Sequence, residues 1–484
     1  MYKIIAKQTC VEVHNYDLGD KPELERMFSI YDDTYHRLVP KGFDYDEEKR
    51  ILYLHRGMNI SSLERSFNTP IEMDRGCNKF SKAVYKLTTE PRDDNQVKSI
   101  AYLIGEGEFK YTSRYSQQSL NLDVGQGKTY VTIAASTFLQ MNTLIITHQD
   151  RIKSQWIESF SKFTNIDPLY MCDINGSKTL DKLMKMNKLP FKVYFINHGT
   201  IKSWCKKNGW DNLNSVMEKL GIGLKIFDEA HLEFSSVLKI DFHTNVLKTF
   251  YLTATFERSQ YGENNVFSHC FKNIAKFGSE VKDSIRKHIV YLAVKFDSQP
   301  TLNDKISIKG IKGFDRNNYI NYQLKKGIMM DVIDYLIDFF DKQEGKLLIL
   351  SSKIDSSFII RDHVREFKSN KKSIAWNSQV SDEEKSQIID ADIISSTPKS
   401  LGTGSDIQGL RFMIMTEPYT STVTANQVSG RLREYGPEAY TFYIELVDTG
   451  FPKVVDMYRK RLKVFKKKCV SINEINFKDV QKDK

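Results

Sequence analysis

Cysteine is scarce and scattered in this chain of 484 residues. The six cysteines, Cys10, Cys77, Cys172, Cys205, Cys270 and Cys469, include no CxxC and no Cys/His pairing at metal spacing. Neither a disulfide framework nor a structural zinc site is expected, and reduced thiols suit a cytosolic compartment. No apolar run approaches the roughly 18 residues needed to cross a bilayer, which excludes a spanning segment. The first residues, MYKIIAKQTCVEVHNYD, mix charge into their few apolar positions and offer no small-residue cleavage site. No secretory signal is expected, and the expected location is cytoplasmic. Internal repeats and low-complexity tracts are missing as well.

What is there describes a soluble globular protein, with 40% apolar, 27% charged and 12% aromatic residues. The length exceeds what one hydrophobic core supports and predicts roughly three domains of about 150 residues, so an active site can lie between domains. A net charge of +10 and a pI near 8.9 fit a polyanionic partner bound through lysine and arginine. A lysine-rich solvated surface fits them equally well.

From Thr143 onward, short β-rich runs alternate with longer helical patterns, the rhythm of parallel sheets with crossover helices. TLIIT, KVYFIN, LKIF and TFYLTAT read as buried strands of one block. HIVYLAV, KLLILS, KSIAW, ADIISS, RFMIMT and TFYIELV read as those of a second. The fold class is therefore α/β. The expected divisions are an α+β accessory domain over 1–85, with a hairpin around Phe43 to Met58, a first lobe over 86–283, a second over 284–450, and a basic helix and tail over 451–484. Pro300, Gly310 and Gly313 among polar residues predict an irregular insertion from Asp297 to about Asn318. In KVVDMYRKRLKVFKKK, Val455, Tyr458, Leu462 and Phe465 recur at helical spacing. The basic face opposite them is either solvated or a nucleic-acid contact.

Four strings carry chemistry. In VGQGKT, Gly125 and Gly127 let backbone N–H groups, with Gln126 between them, turn around phosphate oxygens at the start of a helix expected over Lys128 to Leu139. Lys128 would reach the β- and γ-phosphates and Thr129 would hold magnesium. In KIFDEAH, Asp228 emerges from a strand about 100 residues later to bind the metal, with Glu229 beside it to orient and deprotonate water. His231, Thr253 and Thr255 are candidates for coupling this site to its surroundings. QVSGRLR reads as helical, with Gln427 one turn before Arg431, and Arg431 and Arg433 available to stabilise charge on a transferring phosphoryl group. Upstream, the glycine-rich LGTGSDIQGL offers Gly404 and Asp406 to the nucleotide and Thr403 to a nucleic-acid backbone. ATP and Mg²⁺ are the cofactors these residues call for.

In order, PRDDNQ, GQGKT, LIITHQDRIKSQW, DEAH, TAT, TGSD and QVSGRLR resemble the motifs of superfamily 2 helicases, in particular the phage UvsW-type enzymes. The resemblance covers about 360 residues, from Pro91 to Asp448. It implies two tandem RecA-like lobes with ATP between them and nucleic acid across both, and the host cytoplasm if the chain is phage-encoded. It implies that Gln96 reads adenine with Arg92 nearby, and that Arg431 and Arg433 act as fingers from the second lobe. Contacts to nucleic acid are expected from Gln149, Arg151, His198, Gly199 and Thr200 in the first lobe and from Ser352, Lys353 and Thr403 in the second. Glutamine at 427, where many RNA-directed relatives carry histidine, points to DNA. The chain departs from the family pattern at Leu122, where the phosphate loop usually opens with glycine, at His148, where many relatives have proline, and at Glu434, where a second arginine is usual.

The expected activity is that of a monomeric ATP-dependent DNA helicase acting on single-stranded or branched DNA, mainly through the phosphate backbone and away from membranes, in replication, recombination or repair. The alternatives are a double-stranded DNA translocase that does not separate strands, an RNA helicase, and a binding scaffold with an inactive nucleotide pocket.

Overall fold

The computed structural model describes residues 1–32, 36–122, 125–253, 261–278, 287–310, 313–401, 407–417, 425, 428–436 and 439–480. The chain divides into two compact units, Met1–Ser284 and Ile285–Lys484. Among the described residues, no helix is long and apolar enough to cross a membrane.

The first unit holds two sheets. Strands β1 (Lys3–Ala6), β2 (Cys10–His14), β5 (Phe43–Asp46), β6 (Ile51–His55) and β7 (Ile71–Met73) form a five-stranded sheet in the order β5-β6-β2-β1-β7, and β3 (Ser29–Asp32) pairs with β4 (Arg37–Pro40) beside it. The hairpin expected near Phe43 is β5–β6, antiparallel with Phe43 opposite Leu54 and Asp46 opposite Ile51. The larger sheet contains β8 (Gln117–Leu120), β9 (Asn142–Thr147), β10 (Met171–Ile174), β11 (Val193–Asn197), β12 (Ile222–Phe227), β13 (Lys248–Leu252) and β14 (Ala275–Phe277). All seven run parallel in the order β10-β11-β9-β12-β13-β8-β14. Helices cover both faces, so β9 and β12 are buried along their whole length and read as unbroken apolar runs rather than alternating ones.

Strand β8 does not. Its sequence is QQSL, yet all four residues are buried. The polar side chains find acceptors inside: Gln117 Nε2 donates to Tyr251 Oη at 2.6 Å, Gln118 Nε2 to the Tyr102 carbonyl at 2.8 Å, and Ser119 Oγ to the Tyr251 carbonyl at 3.1 Å. One apolar layer, with Val131, Ile145, Trp156, Phe195 and Ile226, fills one side of the larger sheet. The layer on the other side, including Ile146, Phe227, Phe234 and Tyr251, is continuous with Tyr16, Leu54 and Phe67 of the N-terminal sheet. The turn after β6 approaches the end of the Tyr261–Cys270 helix so closely that a Cβ on Gly57 would lie 2.7 Å from the Cys270 carbonyl oxygen, a close backbone approach that suits glycine.

The second unit repeats the plan. Strands β15 (Ile289–Phe296), β18 (Lys346–Leu350), β19 (Ser373–Trp376), β20 (Ile393–Ser396), β21 (Leu410–Met415), β22 (Thr441–Asp448) and β23 (Cys469–Asn476) are parallel in the order β19-β20-β18-β21-β22-β15-β23. The segment expected to be irregular holds a short helix, Leu302–Ser307, started by a Thr301/Asp304 capping box, and the two-residue pairing of β16 (Lys309–Gly310) with β17 (Gly313–Phe314). The basic helix is present at Pro452–Lys468, but the residues after it return as β23, which lies against β15.

Candidate nucleotide site and nucleic-acid loops

In a parallel sheet the loops after the strands gather at one edge, and the expected chemistry of the first lobe collects there. Gly125 and Gly127 have φ of 87° and 83°, left-handed values that glycine adopts without strain. Gly127 caps the Lys128–Leu139 helix, the span expected from sequence. Lys128 Nζ donates to the Leu122 carbonyl at 2.8 Å, so the residue in place of the usual glycine serves through its backbone while its side chain is buried. Thr129 is half-buried in the first helical turn.

Asp93 accepts from the Gln96 backbone N–H at 2.9 Å and caps the Asp94–Ile104 helix. Gln96 is 5% exposed, its Oε1 accepts from the Arg92 N–H at 2.8 Å, and a Cβ on Gly127 would meet its Nε2 at 2.3 Å. The carboxamide expected to read adenine is thus packed against the phosphate loop. The Arg92 guanidinium pairs with Asp93 at 3.0 Å.

At the end of β12, Asp228 Oδ2 accepts from Trp156 Nε1 at 2.8 Å. Burial and the neighbouring Glu229 raise the Asp228 pKa above the usual carboxylate value, while Trp156, Lys128 and His148 act against the rise. Glu229 sits at φ 46°, a left-handed conformation that costs a non-glycine residue about 1–2 kcal/mol. Its Oε2 is buried and accepts no hydrogen bond among the described residues, although His231 Nδ1 lies 3.3 Å away. His231, 3% exposed, is also 2.8 Å from Thr253 Oγ1 at the end of β13. The DEAH loop and Thr253, just after β13, are therefore joined through one buried imidazole.

The expected first-lobe nucleic-acid residues divide into two groups. Gly199 is exposed, and Gln149 and Arg151 are half-buried. His198 and Thr200 are 2% and 6% exposed. His198 Nδ1 lies 2.9 Å from Ser236 Oγ and its ring stacks on Phe227 at 5.9 Å. Burial, with Lys202 and His148 nearby, lowers its pKa to about 3. His198 is a neutral core ring, and Thr200 contributes its N–H to the Asn197 cap of the His198–Asn208 helix.

In the second lobe, Lys353 Nζ donates to Asn321 Oδ1 at 3.0 Å, and Ser352 and Lys353 are half-buried after β18. Residues 431–433 form a turn, whereas the sequence read as helical. The helix stops before Gly430, and the Arg431 and Leu432 N–H groups bond back to Val428 and Ser429 at 3.1 Å each. Leu432 is buried, and its carbonyl lies 2.9 Å from His288 Nε2. That anchor leaves Arg431 half-buried and Arg433 exposed on either side of it. Gln427, Thr255, Thr403, Gly404 and Asp406 lie outside the described residues.

Sequence reasoning gave no role to three residues that hold these parts. Trp156 was visible in LIITHQDRIKSQW, and a buried indole N–H requires an acceptor, which Asp228 supplies. Lys153, 1% exposed, pairs with Asp150 at 3.0 Å and Asp173 at 2.7 Å. Glu417, at the end of β21, is 1% exposed, and burial raises its pKa to about 7 against hydrogen bonds from Ser352 and the charge of Arg316.

Residues 91–258 match the family described as type III restriction enzyme, res subunit. Comparison with curated proteins by sequence finds no match. Among solved structures, a fragment assigned to the HsdR subunit of a type I restriction enzyme from Vibrio vulnificus YJ016 superposes with a TM-score of 0.54 at 13% identity, covering 96% of this chain and 84% of that one. S. cerevisiae Dbp5 bound to RNA and ADP BeF3 gives 0.54 at 12%, covering 80% and 91%. T4 UvsW gives 0.37 at 13%, covering 98% and 99%, so the fold rests on the first two. The architecture is two tandem RecA-like α/β lobes with a small β-rich N-terminal domain. The family match and the paired lobes bear out the resemblance to superfamily 2 helicases that the ordered motifs carried.

Proposed function

We propose that the protein is an ATP-driven DNA helicase that remodels or unwinds branched or partly duplex DNA. The observation that carries the reading is the Asp228–Glu229 pair, held by Trp156 on one side and by His231 and Thr253 on the other, at the same sheet edge as the Lys128 loop. The residues fit a magnesium nucleotide: Gly125 and Gly127 hold the left-handed turn of a phosphate loop, with Gln96 packed so closely that a Cβ at 127 would strike its side chain, and among the described residues the buried Glu229 Oε2 accepts no hydrogen bond, with His231 Nδ1 3.3 Å away.

Bound ATP with Mg²⁺ would supply the phosphoryl group and the charge that makes it transferable. Thr129 and Asp228 would hold the metal, and Lys128 would move from the Leu122 carbonyl to phosphate oxygens. Glu229 would orient water and take its proton through Oε2. The motif order assigns Gln427, Arg431 and Arg433 to the same phosphates, and Gly404 and Asp406 to the nucleotide. His231, bridging Glu229 to Thr253, with Thr255 two residues on, would report the state of the site to the strands that carry the nucleic-acid loops. Gly199, Gln149, Arg151, Ser352, Lys353 and Thr403 remain the expected backbone contacts. A double-stranded DNA translocase shares every one of these residues and differs only in leaving strands paired.

ATP hydrolysis measured with forked DNA, RNA or neither tests the reading. DNA is expected to raise turnover most, and Glu229→Gln to lower kcat by about 10²–10⁴-fold. Turnover indifferent to DNA would reject a DNA motor, and strand displacement on the same fork separates helicase from translocase.

A further inference from the structure

We propose that the outward face of the Pro452–Lys468 helix is a nucleic-acid phosphate track that extends the second lobe's contact surface. The proposal rests on the motor reading above and gives that motor an added grip.

The rotation of this helix is fixed from inside. Val454, Tyr458 and Phe465 are buried against Tyr291 and Tyr443 of the sheet, with the Phe465 ring 4.5 Å from that of Tyr443 and 4.7 Å from that of Tyr291. Arg461 faces inward, 2% exposed, and its Nε donates to Glu445 Oε2 of β22 at 3.0 Å. With that face committed, Lys453, Arg459, Lys460, Lys463 and Lys466 are forced outward and are exposed. Asp456 is the helix's single acidic residue. It pairs with Lys460 at 3.1 Å and lies 3.9 Å from Lys453, which leaves Arg459, Lys463 and Lys466 outside its ion pairs.

Arg459, Lys463 and Lys466 stand at i, i+4 and i+7, one stripe of like charge on one helix face. Such spacing works against the helix, since like charges one turn apart repel. The negative end of the helix dipole accounts for cations in the last turn only, so Lys466 has that explanation and Arg459 and Lys463 do not. The helix, about 25 Å long at 1.5 Å per residue, begins four residues after β22 ends. Its Lys453 end therefore lies at the strand-end edge of the sheet, where Ser352 and Lys353 follow the parallel strand β18. A backbone crossing those loops would continue along the stripe and meet its cations, the pattern of phosphate-directed binding.

The test compares Arg459→Gln/Lys463→Gln/Lys466→Gln with a control of equal charge loss, Lys182→Gln/Lys185→Gln/Lys188→Gln, whose lysines are exposed in the first lobe. Affinity for forked DNA is measured across a salt series. The stripe variant is expected to flatten the log–log salt slope by about 2 to 3, with the thermal midpoint and DNA-independent ATP turnover unchanged, while the control moves it by less than about 1. Equal slopes for wild type and the stripe variant would overturn the proposal, as would equal flattening by the control. Loss of binding to vesicles of equimolar phosphatidylserine and phosphatidylcholine, with the DNA slope intact, would overturn it in favour of a membrane surface. A wild-type chain that fails to bind the fork at all rejects the motor reading itself, which distinguishes the two failures.

Discussion

The two lobes share a seven-stranded parallel sheet, and each fastens an added element with a buried ion pair, but the pairs are built differently. In the first lobe, Lys225 of β12 and Asp241 are both 0% exposed. Lys225 Nζ reaches Asp241 Oδ1 and Thr244 Oγ1 at 2.6 Å each, and Tyr251 Oη donates to Asp241 Oδ2 at 2.6 Å. Two further contacts come from the N-terminal sheet: His55 Nε2 lies 3.1 Å from Asp241 Oδ2, and Thr9 Oγ1 donates to the Asp241 carbonyl at 2.9 Å. In the second lobe, among the described residues, Glu445 accepts from Arg461 Nε at 3.0 Å and from the Tyr291 hydroxyl at 2.5 Å. A buried charge survives when its remaining lone pairs and protons are satisfied. In the first lobe, groups from the N-terminal sheet supply part of that satisfaction, so that sheet helps complete the lobe, whereas among the described residues the second lobe's pair joins one helix to its own sheet.

Breaking each pair from one side sharpens the contrast most. Asp241→Ala strands a buried ammonium and Arg461→Met a buried carboxylate, and each is expected to cost about 3–5 kcal/mol. Trp376 is the second lobe's single tryptophan, so urea unfolding followed in a variant with Trp376→Phe isolates the first lobe, and the difference spectrum reports the second. Arg461→Met/Glu445→Gln keeps an acceptor for Tyr291 and should return to within about 1 kcal/mol of wild type. A similar recovery for Lys225→Met/Asp241→Asn would break the comparison, because His55, Tyr251 and Thr244 should still lack their charged partners.

The lobes should also differ in pH response. Burial works to raise the Asp241 pKa, but Lys225 and His55 outweigh it and hold the group below the ordinary value. Its stabilisation is present above the unfolded carboxylate range and is lost as pH falls through the depressed value. Glu417 has the opposite sign. Its folded pKa of about 7 means that the protonated form fits the fold, so stability is full below the unfolded value and is lost as pH rises through about 7. Glu417→Gln should remove that loss, stabilising the second lobe at pH 8 by on the order of 2–3 kcal/mol and by little in acid. Equal gains at both extremes would mean that Glu417 does not titrate in the folded chain.

The smallest effect compares two helix caps. Asp93 caps the helix that carries Gln96, and Asp315 accepts from the Asn318 N–H at 3.0 Å at the start of Arg316–Lys326. Alanine at either should cost about 1 kcal/mol. Only Asp93→Ala should also raise the KM for ATP, because Gln96 packs on Gly127.

Much of this plan was legible in the sequence, for reasons that differ by element. The strands at Thr143, Leu224 and Lys346 were visible because burial on both faces demands unbroken apolar runs. Strand β8 was hidden because its polar residues find partners in other elements, Tyr251 for Gln117 and Ser119 and Tyr102 for Gln118, that no local pattern shows. VGQGKT and DEAH stood out because the phosphate and metal chemistry proposed for them allows few residue types at close spacing. His198 misled for the converse reason: INHGT shows a polar ring beside a loop, and only the stacked Phe227 and the Ser236 hydroxyl make it a core residue. The arginine segment read as helical because its local pattern permits a helix, and the anchoring of Leu432 beside His288 is a contact across 144 residues.

The sequence alone determined the order of the motifs, the α/β class and the kinds of side chain available to a phosphate and a metal, since these follow from local spacing and residue chemistry. The tertiary structure decided that Glu229 Oε2 is buried beside His231, that His198 belongs to the core, and that the N-terminal sheet contributes to the first lobe's interior. Those outcomes depend on satisfying buried charges and hydrogen-bonding groups, and their partners sit tens to hundreds of residues away, beyond the reach of any local pattern.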